Sequence, residues 1–133
     1  MIEFKFRVVR GERIVGYEAL IDGYWCRSDN GKDWQFGTLN SSGHKRYQYT
    51  GLKDKNGVEI YEGDIIASDK TSDGFQHIST LEHGWCEHDG NEYGWHFRNG
   101  GPVRPVDDID GRYEVIGNIY QNKDLLNIEA NVL

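Results

Sequence analysis

From Ile2 to Val8, the apolar residues Ile2, Phe4, Phe6 and Val8 alternate with Glu3, Lys5 and Arg7. A period of two predicts a half-buried β-strand. Arg10-Gly11-Glu12 turns the chain, and Ile14 to Ile21 reads as the return strand of an opening hairpin. Asp22-Gly23 ends that strand, and Tyr24-Trp25-Cys26 forms a short apolar patch. Ser28 to Asp33 is a polar turn cluster, Trp34 to Gly37 is brief, and Asn40 to His44 is a loop. Extended character resumes from Arg46 to Thr50. Asn56-Gly57 has the composition of a type I′ hairpin turn, whose two central residues both need positive φ. Glu59 and Ile60 return, and Gly63-Asp64 bends the chain into Ile65-Ile66-Ala67.

The second half is less regular. Ser68 to Gly74 is polar and predicts a mobile loop, and Phe75 to Leu81 alternates weakly. Asp89-Gly90-Asn91 turns into a strand that carries Tyr93, Trp95 and Phe97 on one face, and Asn99 to Pro102 breaks it. Between Arg112 and Tyr120, the residues Tyr113, Val115 and Ile119 are expected on one face, with Gly117 between them. A glycine in mid-strand predicts a bulge or a close backbone approach. Asn122 is placed to cap one helical turn through Leu125 and Leu126. No segment sustains a 3.6 period, and there is no internal repeat or linker. The expectation is a single domain over residues 1–133, all-β, built as a small, barrel-like, bent sheet with a short C-terminal helical turn.

Composition adds constraints. Of the 133 residues, 37% are hydrophobic and 13% aromatic, so large rings must supply much of the buried area. No apolar run approaches the roughly 20 residues of a membrane span. The N-terminus has no apolar signal core, which leaves a cytoplasmic location as the default and free thiols as the expectation for Cys26 and Cys86. The net charge of -7 is uneven. Residues 1–56 hold 10 Lys and Arg against 7 Asp and Glu, whereas residues 57–133 hold 5 against 15. An acidic second half disfavours wrapping on nucleic acid, because phosphate neutralisation dominates that affinity.

Three groups of residues carry candidate chemistry. His83, Cys86, His88 and His96 offer the sulfur and imidazole ligands that zinc takes. In an extended strand Cys86 and His88 point to one face and His83 to the other, so a turn at Gly84 would be needed to gather them. Lys45, Arg46, Tyr47 and Tyr49 combine cations with rings on which single-stranded bases stack, although the two tyrosines also suit a core. Asp107, Asp108 and Asp110 could meet a hard cation but read as a solvated loop. No phosphate loop surrounds Gly100-Gly101, and no nucleophile set can be placed. Asp64, alone at its turn, reads as a structural acceptor of backbone amides. Trp25, Trp34, Trp85 and Trp95 divide between the core and any contact surface.

Glu3 to Arg7, Tyr49 to Ile66 and Tyr113 to Asn122, in that order, resemble the YopX family of small phage and prophage proteins. The resemblance implies a mainly β fold with a barrel-like part and a phage or prophage origin. It implies no activity and supplies no catalytic residues. Cys26 to Arg46 and Ser68 to Asp110 carry no family motif. The expected role is therefore a non-enzymatic accessory module that binds a macromolecule, a phage or host protein before nucleic acid, with no cofactor. The alternatives are a metal-binding protein or small metal-dependent enzyme, and a single-strand nucleic-acid binder. Edge strands and the apolar end from Ile128 to Leu133 leave self-association open.

Overall fold

A computed structural model describes residues 4–39, 43–86, 92–97 and 112–126. The alternating and turn-punctuated sequence forms the strands β1 (Phe4–Arg10), β2 (Arg13–Ile21), β3 (Tyr24–Ser28), β4 (Gln35–Phe36), β5 (Lys45–Lys53), β6 (Glu59–Tyr61), β7 (Asp64–Ser68), β8 (Ile78–Ser79), β9 (Leu81–Cys86), β10 (Glu92–Phe97) and β11 (Tyr113–Asn118). A short 3-10 helix, Lys123–Leu126, follows. All strand pairs are antiparallel. They form a six-stranded sheet in the order β4-β3-β2-β1-β5-β6, a three-stranded sheet β11-β7-β8, and the hairpin β10-β9. The mainly β class and the C-terminal helical turn are as expected, and no sheet closes into a barrel among the described residues.

The opening alternation is real, but burial does not follow hydrophobicity along it: Val8 is buried, and so is Lys5. Lys5 is 6% exposed whereas Phe4 is 48% exposed. β1 lies in the middle of the six-stranded sheet, between β2 and β5. The Lys5 and Arg7 face meets the corner between β6 and β7, where Glu59 and Asp64 supply opposite charge. Burial of charge is tolerated there because each cation finds a carboxylate.

The hairpin between β5 and β6 is not type I′. Only Gly57 has positive φ (81°), while Asn56 does not. The turn spans Asp54 to Gly57, closed by Gly57 N donating to Asp54 O (3.0 Å) and Asp54 N to Val58 O (2.8 Å). A tight turn followed by a left-handed glycine is the three-residue hairpin solution. The Asp54 carboxylate explains the choice. It accepts the amides of Asn56 (2.8 Å) and Val58 (2.9 Å) through Oδ1, and Val115 N (3.0 Å) through Oδ2. One buried aspartate thus holds the hairpin and ties it to β11.

The run Ile65-Ile66-Ala67 on β7 is buried on both faces. Ile66 packs with Ile60 and Leu81, against Leu52, Tyr113 and Val115. Ile65 and Ala67 pack with Ile78, against Ile119, Leu125 and Leu126 of the C-terminal turn. The predicted bulge at Gly117 is present, as the β11–β7 register shifts between Val115 and Gly117. The inserted residue flips the alternation. Ile119 therefore lies in the second cluster, not on the face of Tyr113 and Val115 as the spacing suggested. Gly117 also meets the expected close approach: a Cβ there would stand 2.6 Å from Asn122 Oδ1. That Asn122 oxygen accepts Asn118 N (3.2 Å), while its carbonyl accepts Leu125 N (2.9 Å) to start the helical turn. The polar stretch after β7 forms a turn closed by Thr71 N donating to Phe75 O (2.8 Å).

Candidate functional site

Two places on the six-stranded sheet concentrate unusual side chains. The first is the inner corner. Register places Arg7 on β1 opposite Tyr17 on β2 and Tyr47 on β5, so the three share a face. Gly63, at φ 87°, then turns the chain so that Asp64 enters β7 beneath that face. Arg7 Nη1 donates to Asp64 Oδ1 and to Tyr120 Oη (2.9 Å). Asp64 Oδ2 accepts Tyr61 N (2.8 Å). The guanidinium lies 4.4 Å from the Tyr61 ring centroid and 5.9 Å from that of Tyr17. Tyr47 packs on Tyr120 at 5.1 Å, and Tyr49 on Tyr61 at 5.5 Å. Lys5 extends the row, bonding Glu59 at 2.5 Å and lying 4.6 Å from the Tyr49 ring centroid.

The electrostatics of this corner favour fixed protonation. Burial would lower the Arg7 pKa, but Asp64, with Tyr120 and Tyr17, raises it further, and the guanidinium keeps its proton. Burial raises the Asp64 carboxyl above its ordinary value, and Arg7 and the Tyr61 amide pull it partly back. Burial also raises the phenols, Tyr120 to about 12 and Tyr61 further. Neither phenol is a base near neutrality, and the cluster presents no nucleophile. Its chemistry is that of a latch between two sheets. Tyr61 Oη and Arg7 Nε are buried without a hydrogen-bond partner among the described residues.

The second place is the outer end of the same sheet, around β3 and β4. Phe36 is 78% exposed, Tyr24 63% and Trp25 45%; Trp25 shares the row Phe4-Leu20-Trp25 on one face, and Tyr24 and Phe36 lie on the other. Tyr24 and Phe36 meet edge to face at 5.8 Å, and Trp25 stands 6.2 Å from Phe6. Beside this end, Arg27, Ser28, Asn30 and Gln35 help line an open polar pocket of about 370 Å³. Sequence reading marked Tyr24-Trp25-Cys26 as an apolar patch. Phe36, alone on a two-residue strand, carried no such signal.

The two groups of predicted site residues lie in different parts of the fold. Tyr47 and Tyr49 are half-buried in the inner corner, and Arg46 bonds the buried Glu18 at 2.5 Å, so only Lys45 of that group is exposed without an ion pair among the described residues. His83 and Cys86 lie on β9 and His96 on β10, with His83 paired to Trp95 and Cys86 to Glu92. The strand continues through Gly84, opposite Gly94, where a turn would have been needed. His88, Asp107, Asp108, Asp110 and Ile128 to Leu133 lie outside the described residues. Among the described residues no group of three or more His, Cys, Asp or Glu is placed to hold a metal ion. Cys26 is a buried free thiol. No helix among the described residues is long and apolar enough to cross a membrane.

Residues 21–127 match the model of the YopX protein family. Among solved structures, the chain is similar to the crystal structure of protein EF1440 from Enterococcus faecalis, with a TM-score of 0.56 and 22% identity over 95% of this chain and 99% of that one. This likeness supports the fold alone. No curated protein matches the chain.

Proposed function

The chain belongs to the YopX family, and we propose that it works as a non-enzymatic module that binds a macromolecule through the aromatic end of its six-stranded sheet. The observation that carries this reading is the exposure of four rings near the β3–β4 edge of the sheet, Phe4 and Trp25 on one face and Tyr24 and Phe36 on the other, beside a β1 that is latched to the rest of the fold. Exposed aromatic surface marks contact sites, and tryptophan and tyrosine are enriched among the residues that dominate binding energy. The inner corner, with its protonated phenols and paired charges, suits a rigid support for that surface. The setting is an accessory role in a phage or prophage, in the host cytoplasm.

The test is capture of partners from a lysogenic host with the wild-type protein and with a Trp25→Ser/Phe36→Ser variant. A partner retained by the first and lost by the second, at unchanged melting temperature, is the expected result. No specific partner, together with turnover of a small-molecule substrate, would overturn the reading.

A further inference from the structure

We infer that the macromolecule is a single-stranded nucleic acid, laid across the face of the six-stranded sheet that carries Phe4, Phe6, Trp25 and Arg27; this rests on the binding-module reading. The argument begins with charge. The chain as a whole is acidic, at -7. On the strands of this sheet, however, every exposed charged side chain is a cation: Arg10, Arg13, Arg27, Lys45, Arg46 and Lys53. The acids of these strands are hidden. Glu18 is 1% exposed, held by Arg46 Nε (2.5 Å) and Leu39 N (2.7 Å), and Glu59 is half-buried against Lys5. Folding therefore leaves cations, and no acid, exposed on these strands; register puts Arg27 and Arg46 on the face of Phe4 and Trp25, and Lys45 on the other. The exposed acids Glu12, Asp22, Asp29 and Asp33 stand in the turns.

Register then combines the rings with the charges. Phe4, Leu20 and Trp25 form one cross-strand row, and Phe6, Glu18, Arg27 and Gln35 form the next row on the same face. Arg27 is two residues beyond Trp25, about 6.8 Å along the strand. It is exposed and makes no ion pair among the described residues. Aromatic platforms on a sheet, flanked by cations that track a backbone, are the means by which single strands are held without a sequence code. A duplex keeps its bases stacked inside and offers these rings nothing. Arg27 stands at the neighbouring polar pocket, where Asp29 and Asp33 repel phosphate, so the backbone track reaches Arg27 from the Trp25 side.

Fluorescence anisotropy tests this, with labelled oligo-dT and oligo-U of about 15 nucleotides, a matching duplex as control, and salt from about 20 to 200 mM. Wild-type protein is expected to bind both single strands, more tightly than the duplex, with affinity falling steeply with salt. Trp25→Ala is expected to weaken binding about tenfold. Arg27→Glu, at an exposed position, is expected to weaken it and to flatten the salt dependence, while Lys70→Glu, in a loop of the other sheet, leaves it unchanged. No binding at low salt, equal binding of the duplex, or affinity indifferent to both Trp25→Ala and Arg27→Glu overturns the inference. Capture of a protein partner that is lost with Trp25→Ser/Phe36→Ser, with no oligonucleotide bound, overturns it too but leaves the binding-module reading standing.

Discussion

The inner corner and the outer edge of the six-stranded sheet reverse the usual distribution of residue types. At the inner corner charges are buried: Arg7 with Asp64, and Lys5 with Glu59. At the outer end, aromatic rings are exposed on Tyr24, Trp25 and Phe36. The same strand shows both, because β1 carries the buried Lys5 and the exposed Phe4 side by side. The difference teaches that position relative to the second sheet, not hydrophobicity alone, decides burial here. Where β7 and the segment after β11 pack against the sheet, carboxylates and phenols meet the cations. At β3 and β4 nothing among the described residues provides an equivalent cover.

The comparison breaks most directly at the buried pair. Arg7→Met leaves Asp64 in the interior without its cation, and is expected to cost about 3–5 kcal/mol of unfolding free energy. Arg7→Met/Asp64→Leu should recover most of that loss, since both buried charges are then gone. Urea titration of the two variants decides it, and equal destabilisation would show that the pair is more than an electrostatic match. Asp54→Ala comes next. It strips acceptors from the amides of Asn56, Val58 and Val115, for an expected cost of about 1–3 kcal/mol.

The phenols sharpen the comparison from the alkaline side. Folded Tyr61 and Tyr120 hold their protons above the ordinary tyrosine value, by burial first. The unfolded chain therefore releases these protons first. Their stabilisation is complete below the ordinary value of about 10 and is lost as pH rises through the folded values. Absorbance of phenolate followed with circular dichroism should show these two tyrosines ionising only as the protein unfolds. Tyr61→Phe removes a buried hydroxyl that has no partner among the described residues, so it should be neutral or stabilising by about 1 kcal/mol. A loss of stability instead would mean that the hydroxyl is bonded in solution. The smallest effect belongs to the outer end. Phe36→Ser, on a side chain 78% exposed, should change stability by no more than about 0.5 kcal/mol.

Much of the fold is legible in local chemistry. The turns at Gly11, Gly23 and Gly63 each need positive φ, and each stands where glycine interrupts an extended run. Gly117 announced its bulge because a strand seldom leaves a side chain out without reason. Asp64 was read as an acceptor of a backbone amide, which it is. The candidate site was less legible. Tyr47 and Tyr49, beside Lys45 and Arg46, looked like an open stacking platform, yet both rings face partners distant in sequence, Tyr120 and Tyr61. The hairpin type was misjudged for a related reason. Asn56-Gly57 suggests one turn, and the Asp54 carboxylate, which also reaches Val115, selects another.

Alternation and glycine placement by themselves determined that this chain is a succession of short antiparallel strands, since side-chain period and backbone sterics act within a few residues. They also pointed to Phe4, Phe6 and Val8 as the buried face of β1. Only the tertiary structure decided that Lys5 and Arg7 go inward, because their partners, Glu59 and Asp64, lie more than fifty residues away and reach them only when the sheets pack. The cationic, ring-bearing surface of the first sheet has the same origin: it exists because folding hides the acids and leaves the arginines in water.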